Sequence, residues 1–347
     1  MRLFNRLLLI ATLLAFTVIA LGAYVRLSHA GLGCPDWPGC YGHLLGVPEA
    51  SHEQLAANQA YPERPVESAK AWKEMIHRYF AGTLGLLILA LCLLSWRAAL
   101  RRQQSPALPT ALLVIVSLQA ALGMWTVTLL LKPVIVTLHL LGGMTTLALL
   151  IALALNSSST TPSPRPISNL RLPAALALLA VILQIALGGW VSSNYAALAC
   201  SDFPLCQNNL LPNMDFAQAF SLHRELGQTA DGNLLSLEAL TAIHWSHRLG
   251  ALVVLLSVGA LAMGLLRSGE KMPGFLLLGL LAIQITLGIS NVLLSLPLPL
   301  AVAHNIGAAC LLSLIVVINV HQQRITAKCC GQPGKSGKKI GEPHWLA

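Results

Sequence analysis

Residues 22–40 read GAYVRLSHAGLGCPDWPGC and residues 188–206 read GGWVSSNYAALACSDFPLC, two copies of a pattern that ends in C-x-D-x-P-x-C. The copies are offset by 166 residues. Other stretches match at nearly the same offset: IHRYFAGTLGLL at 76–87 with SHRLGALVVLL at 246–256, LQAALG at 118–123 with IQITLG at 283–288, and LHLLGG at 138–143 with AHNIGA at 303–308. Several matches at nearly one spacing indicate an internal duplication.

Apolar segments fill most of the chain between these motifs. Of the 347 residues, 55% are hydrophobic and only 10% are charged, whereas soluble domains carry about 25% charged residues. A helix needs about 20 apolar residues to cross ~30 Å of hydrocarbon. Eight runs approach this length, at roughly 7–25, 76–96, 110–131, 135–155, 172–192, 243–265, 273–295 and 300–320. They predict an all-α integral membrane protein with eight transmembrane helices.

The duplication divides these helices into two tandem four-helix bundles. The predicted N-terminal half spans 1–155, a Ser/Thr/Pro-rich cytoplasmic linker spans 156–171, the C-terminal half spans 172–323, and a basic cytoplasmic tail spans 324–347. Each unit has an even number of helices, so both insert in the same orientation. We therefore expect a pseudo-two-fold axis along the membrane normal between the halves.

The net charge of +9 is distributed by membrane side. Fourteen of the 22 basic residues fall on one side if the N-terminus is cytoplasmic. The positive-inside rule then predicts that both termini are cytoplasmic, and the distribution argues against nucleic-acid binding. The first run could instead be a signal peptide that ends near Ala30. Its length and its repeated counterpart favour a retained helix.

Cysteines form a matched pair in each half. Cys34 and Cys40, and likewise Cys200 and Cys206, lie in the predicted outer loops. We expect a disulfide in each pair, because two thiolates fall short of the four ligands of a structural zinc site. Cycling between thiol and disulfide is an alternative. Elsewhere, Cys92 and Cys310 are predicted packing residues, and no role is assigned to Cys329 or Cys330.

Four histidines occupy repeat-related positions inside the predicted helices: His77, His139, His247 and His304. Each follows the point where the chain enters the membrane from outside, so all four are expected at one depth. Histidines on facing helices can bind a haem iron from both sides. Six glycines nearby would let a macrocycle approach the backbone: Gly82, Gly85, Gly142, Gly143, Gly250 and Gly307. The alternative is that each histidine bonds a polar group of a neighbouring helix.

Arg78 and Arg248 directly follow two of these histidines. Adjacent residues point about 100° apart on a helix, so the arginines cannot share the role of the histidines. Two interpretations remain open. Each arginine either reaches the membrane interface or pairs with haem propionates.

Together these residues resemble the heme A synthase family, from the first helix to about residue 325. The resemblance is carried by the paired C-x-D-x-P-x-C loops, the stretch EMIHR at 74–78, His247-Arg248, His139 and His304. It implies conversion of heme O to heme A by oxidation of the C8 methyl to a formyl group in two successive hydroxylations. It also implies that His247 and His304 ligate a haem b cofactor, while His77 and His139 face the iron of the heme O substrate.

The resemblance further implies a place in cytochrome oxidase biogenesis. The expected site is the bacterial inner membrane, with the cysteine loops periplasmic. Expected partners are heme O synthase (the farnesyltransferase), cytochrome oxidase assembly factors, an electron acceptor and membrane lipid. Among the residues, Glu74 matches a functionally important glutamate of the family, and Cys34 and Cys40 match its outer-loop cysteines.

Glu74 is the candidate proton acceptor. It precedes His77 by three residues and so shares its helix face, one turn nearer the outer surface. The second half has His244 at the equivalent position, so only the first site has a carboxylate. An ordinary interfacial carboxylate is the alternative.

Three other functions compete with the enzyme. A dihaem b-type electron-transfer protein needs haems stacked through the bilayer, whereas these histidines share one level. A transporter is disfavoured because the spans contain few charges. A non-catalytic haem chaperone would need the same ligands, and Glu74 is the main residue that separates it from the enzyme.

Overall fold

The structure is a computed structural model that describes residues 2–97, 105–157, 170–228 and 232–330, with side chains to residue 324. Most of the predicted linker, residues 158–169, and the end of the predicted tail, from 331, lie outside the described residues. The described chain is helical and contains eight helices long and apolar enough to span a membrane. The predicted all-α membrane fold is therefore confirmed.

Eight long helices and two short ones follow one another along the described chain. The N-terminal half contains α1 (Arg2–Leu27), α2 (Ser51–Ala60), α3 (Ser68–Ser95), α4 (Ala107–Thr128) and α5 (Pro133–Ser157). The C-terminal half contains α6 (Arg171–Ser193), α7 (Phe216–Ala219), α8 (Leu237–Arg267), α9 (Lys271–Leu293) and α10 (Leu298–Cys330). The short helices α2 and α7 lie in the two long loops.

Several helices extend beyond the apolar runs that predict them. Helix α3 begins at Ser68, two turns before the apolar run, and its added turns bury Ala71 and Glu74. Helix α8 begins at Leu237, where the Ser236 hydroxyl accepts a hydrogen bond from the Ala239 amide at 3.2 Å. Such a cap satisfies a free helix N–H. These extra turns are polar on one face and pack against loops.

The two halves have matching helix neighbours. In the first, α1 packs on α3 and α5, α3 on α4, and α4 on α5; in the second, α6 packs on α8 and α10, α8 on α9, and α9 on α10. Across the halves, α5 packs on α6 and α10, and α1 packs on α10. A pseudo-two-fold arrangement requires this pattern of neighbours. The axis itself stays a prediction.

One continuous apolar core fills only part of the bundle. It includes Phe4 to Ala15 of α1, Leu84 to Leu91 of α3, Ala174 to Ile185 of α6 and Val254 to Leu265 of α8. In each of the eight long helices, these buried residues lie on the side away from the cysteine loops. Close packing by buried apolar side chains therefore stops at the level where the four histidines begin.

Each cysteine loop is closed by a disulfide. Cys34 is bonded to Cys40 and Cys200 to Cys206. Both loops lie at the same end of the bundle, which we call the disulfide side. At this end are two small apolar clusters, one around Met75 that includes Cys34 and Cys40, and one around Trp190 that includes Ala196 and Ala219. The loops are thus packed onto the helix ends.

Candidate functional site: four histidines at one level

Each of the four histidine rings lies against a glycine of the preceding long helix. A Cβ atom added to that glycine would lie within 3.0 to 3.4 Å of the Cε1 atom of the ring, in the pairs Gly22–His77, Gly123–His139, Gly188–His247 and Gly288–His304. Separations this short leave little room for a side chain. The glycines therefore let each imidazole lie directly on the neighbouring backbone.

These glycines also place the four rings at one depth. Each glycine precedes the last residue of its helix by five positions: Gly22 before Leu27, Gly123 before Thr128, Gly188 before Ser193 and Gly288 before Leu293. All four helix ends are on the disulfide side. The structure thus brings the predicted ligands to a single level near that side.

Each half has at least one histidine with a buried, unpartnered ring nitrogen in the described structure. The Nδ1 atoms of His77, His139 and His304 are buried without a hydrogen-bond partner in the described structure. Buried polar atoms normally have partners. The unpartnered ring atoms are therefore available to a ligand or its surroundings.

This arrangement fits a haem in each half. The donor set is a pair of imidazoles, which is a common axial set for haem iron. The apolar core stops at the same level, and glycines rather than larger residues face the rings. His247 and His304 would hold the group in the C-terminal half, and His77 and His139 in the N-terminal half.

The glycines named from the sequence have other neighbours. Gly142, Gly250 and Gly307 face the side-chain amides of Gln119, Gln184 and Gln284. Gly82, Gly85 and Gly143 have no heavy atom within 4 Å of an added Cβ. The glycines that contact the histidines are different ones, and the repeat itself was the signal for them, since Gly22 aligns with Gly188 and Gly123 with Gly288.

Glu74 is buried beneath the first disulfide loop, with 5% of its surface exposed. Its Oε2 atom accepts a hydrogen bond from the Cys34 amide at 3.0 Å, and its Oε1 atom accepts one from Arg78 at 2.5 Å. The residue is therefore not an ordinary interfacial carboxylate. It joins helix α3 to the loop, one turn from His77.

Arg78 binds the same loop through its backbone. Its Nη1 atom donates to the carbonyl oxygens of Asp36, Pro38 and Gly39 at 3.0, 3.2 and 2.5 Å. Charged donors form the stronger class of hydrogen bonds. Arg78 thus holds the loop on α3 and does not extend freely to the membrane interface.

The second half repeats this contact with one substitution. Arg248 donates to the carbonyl oxygens of Leu205, Cys200 and Asp202 at 2.7, 3.1 and 2.8 Å. His244 takes the place of Glu74, because the Cys200 amide lies 3.4 Å from its Nδ1 and the Arg248 Nε lies 3.4 Å from its Nε2. A neutral imidazole has one acceptor nitrogen, so it can accept only one of these two.

The sequence did not predict that both arginines contact the disulfide loops. The signal was present, because each arginine is repeated together with a C-x-D-x-P-x-C loop. What the sequence lacks is the direction of the side chain, since both the membrane interface and a loop lie on the same side. Pairing of Arg78 and Arg248 with haem propionates stays a prediction.

The family model and the relatives described here each match most of this chain. The family model COX15-CtaA, described as cytochrome oxidase assembly protein, matches residues 5–316. A heme A synthase of Shewanella oneidensis is 46% identical over 318 residues, covering 90% of this chain and 94% of that protein. Heme A synthases of Chelativorans sp. strain BNC1 and Shouchella clausii are 30% and 28% identical, each over 84% of this chain and over 82% and 91% of their own lengths.

Proposed function

Since the chain belongs to the COX15-CtaA family of cytochrome oxidase assembly proteins, we propose that it is a multi-pass membrane oxidoreductase that converts heme O to heme A. The C8 methyl of heme O becomes a formyl group in two successive hydroxylations, and the resulting geminal diol loses water. The observation that carries this proposal is the pair of histidine sites at one level, only one of which has a carboxylate beside it.

The two halves divide the work. His247 and His304 hold a resident haem b, and this group supplies one-electron redox chemistry when bound. His77 and His139 bind the iron of heme O. The assignment is supported by Glu74, which is found only in the N-terminal half, where the methyl group would react. Each hydroxylation takes its oxygen atom from water and releases two protons and two electrons, so an electron acceptor outside the chain takes up four electrons for each heme A formed.

Glu74 accepts and passes on protons during the hydroxylations. Protonation of a carboxylate that is paired with an arginine leaves the guanidinium charge behind. Arg78 would still have hydrogen-bond partners in that state, because it also donates to three loop carbonyls. The loop therefore lets Glu74 change its charge without leaving Arg78 unpaired. This supports a proton-acceptor role.

The single depth of the four histidines argues against the alternative function of electron transfer across the membrane. A protein that passes electrons across a membrane between two haems would hold the haem ligands at two depths. Here all four histidine-contacting glycines lie five residues from helix ends on the same side. Such sites can exchange electrons within that level. They offer no route to the opposite membrane face.

The proposed setting follows from the same assignment. The protein lies in the bacterial inner membrane, with both termini cytoplasmic and the disulfide side periplasmic. An oxidising periplasm agrees with the two disulfides. Heme O synthase would supply the substrate, and assembly factors of cytochrome oxidase would receive the product.

The test is co-expression with a heme O synthase in a host that makes no heme A. Extracted haems are separated by chromatography and identified by their reduced spectra. Accumulation of heme A with a b-type haem in the purified protein supports the proposal. Persistent heme O beside a bound b-type haem would contradict it and favour a chaperone or electron carrier.

A further inference from the structure

The histidine and glycine pairs belong to a longer pattern that is complete in three of the four helix pairs. On the first helix of a pair the pattern is Q-x-x-x-G, and on the second it is H-x-x-G. Three pairs have it complete: Gln119/Gly123 with His139/Gly142, Gln184/Gly188 with His247/Gly250, and Gln284/Gly288 with His304/Gly307. The pair α1 and α3 has Val18, Gly22, His77 and Phe80 at these places.

In the C-terminal half, the glutamines bind the histidines directly. Gln184 donates through Nε2 to the backbone oxygen of His247 at 2.9 Å, and the same atom lies 3.1 Å from the ring Nδ1. Gln284 donates to the backbone oxygen of His304 at 3.0 Å and lies 3.4 Å from the ring Nε2. Each amide thus contacts both the backbone and the ring of a candidate ligand.

The glycine of H-x-x-G makes room for the amide. An added Cβ would lie 2.1 Å from the Gln184 amide at Gly250 and 2.3 Å from the Gln284 amide at Gly307. At Gly142 it would lie 1.6 Å from the Gln119 amide. A Cβ at any of these positions would force the amide to move. Glutamine and glycine therefore depend on one another, and each is useful only when the other is present.

His77 lacks both parts. Val18 provides no amide, and Phe80 has a bulky side chain where the other pairs have glycine. The His77 ring lies against Gly22, where an added Cβ would be 3.0 Å from the ring Cε1.

We propose that Gln184 and Gln284 are positioning residues that fix His247 and His304 as ligands of a resident haem, and that His77, which has no such glutamine, is the exchangeable ligand through which heme O enters and heme A leaves. This proposal rests on the proposed function, because it assumes a turnover site in the N-terminal half. A resident cofactor benefits from two fixed ligands. A substrate that must be released benefits from one ligand that can dissociate from the iron.

The physical basis is control of the ring by its other nitrogen. A histidine that ligates a metal usually makes a second hydrogen bond, which fixes its tautomer and orientation. An amide carries both a donor and an acceptor. The Oε1 atoms of Gln184 and Gln284 have no partner in the described structure.

The first experiment removes the brace, by which we mean the glutamine amide that contacts the histidine, from the site of the resident haem. In Gln184→Met the side chain keeps its length and loses its amide. The readout is the half-time of haem transfer from the purified protein to apomyoglobin, with Leu183→Met on the same helix as control. One hydrogen bond corresponds to a factor of about five. We expect haem b to leave about five times faster, with the control unchanged.

The second experiment builds the missing brace. The double variant Val18→Gln/Phe80→Gly is expected to release heme O and heme A about five times more slowly than the wild type, so that product copurifies with the protein. If the double variant does not fold, the Gln184→Met and Gln284→Met proteins decide. Haem loss within a factor of about two of wild type in both would overturn the proposal.

The two proposals fail in different ways. If the wild-type protein makes no heme A but Gln184→Met still loses haem faster, the brace stands and the proposed function is wrong. If the wild type makes heme A while the folded double variant releases it at the wild-type rate, the proposed function stands and the assignment of His77 as the exchangeable ligand is overturned.

Discussion

Three residues before His77 and His247, the two halves have side chains that differ in charge but make the same contacts. Glu74 and His244 each approach the amide of the first cysteine in their loop and the arginine four residues on. A carboxylate neutralises its arginine, whereas a neutral imidazole does not. Arg248 therefore keeps its full charge over loop carbonyls. Only the N-terminal site combines an acceptor for protons with a compensated arginine.

The substitution Glu74→Gln separates charge from shape at this position. Glutamine can still accept from the Cys34 amide, so the loop and the haem content should be retained. Conversion of heme O should fall by about a hundredfold or more, the usual loss when an acid–base group is removed. Extracted haems are measured by chromatography, with His244→Gln as the matched variant. Normal heme A production by Glu74→Gln would sink the proton-acceptor role.

A second residue-scale prediction concerns the glycine under His247. Alanine at Gly188 would place a Cβ 3.2 Å from the ring Cε1, so the ring has to shift. We expect partial loss of haem b and a cost of about 1 kcal/mol or more in stability, as for other overpacked sites. The haem-to-protein ratio and the thermal midpoint in detergent measure these effects. Gly279→Ala on helix α9 is the control, because nothing lies within 4 Å of its added Cβ; an equal loss there would show that the effect is not local.

At the scale of helices and loops, hydrophobic length was enough to predict the eight spans. The sequence did not reveal the polar helical turns of α3 before residue 76, nor α2, because these segments are not apolar. Nor could it predict which glycine faces which ring. That depends on how each helix is rotated about its axis, and several glycines lie within one turn of the histidines. The histidines are marked as candidates by repetition and residue type, and Glu74 is marked by its spacing of three residues from His77.

The arginine contacts fix each disulfide loop to the helix that carries the arginine. Lysine at Arg248 would keep the charge but lose the planar group that reaches three carbonyls. We expect Arg248→Lys to lower the stability of the loop by about 1 to 3 kcal/mol, the range for hydrogen bonds to a charged group. Reduction of Cys200–Cys206 by dithiothreitol should then be faster, because the loop opens more often to the reagent. Mass spectrometry of alkylated thiols gives the rate.

The control for the loop prediction lies at the other end of the same helix. Arg267 is exposed at the end of α8 that is far from the disulfides. Arg267→Lys should leave the reduction rate unchanged. Equal rates in wild type and Arg248→Lys would mean that the guanidinium does not hold the loop.

At the scale of the whole molecule, the halves are joined at both ends of the bundle. On the disulfide side, Arg26 of α1 donates to the Ser192 carbonyl at 2.6 Å and to the Tyr195 hydroxyl at 3.0 Å. On the opposite side, Arg324 of α10 donates to the Leu155 carbonyl and to Asn156. These contacts and the shared core hold the two histidine sites beside one another at one level. On the proposed assignment, electrons would pass sideways between the substrate site and the resident redox centre.

This division of labour gives a reciprocal prediction for the ligands. His304→Ala should lose the resident haem b and all conversion, yet still take up heme O, because His77 and His139 belong to a separate set of helices. His139→Ala should keep haem b with its wild-type reduced spectrum and lose heme O binding. Both variants are purified after co-expression with a heme O synthase, and haems are identified by chromatography and reduced spectra. Loss of haem b from His139→Ala, or loss of heme O but not haem b from His304→Ala, would reverse the assignment of the halves. Loss of both haems from either variant would mean that the sites fold as one unit.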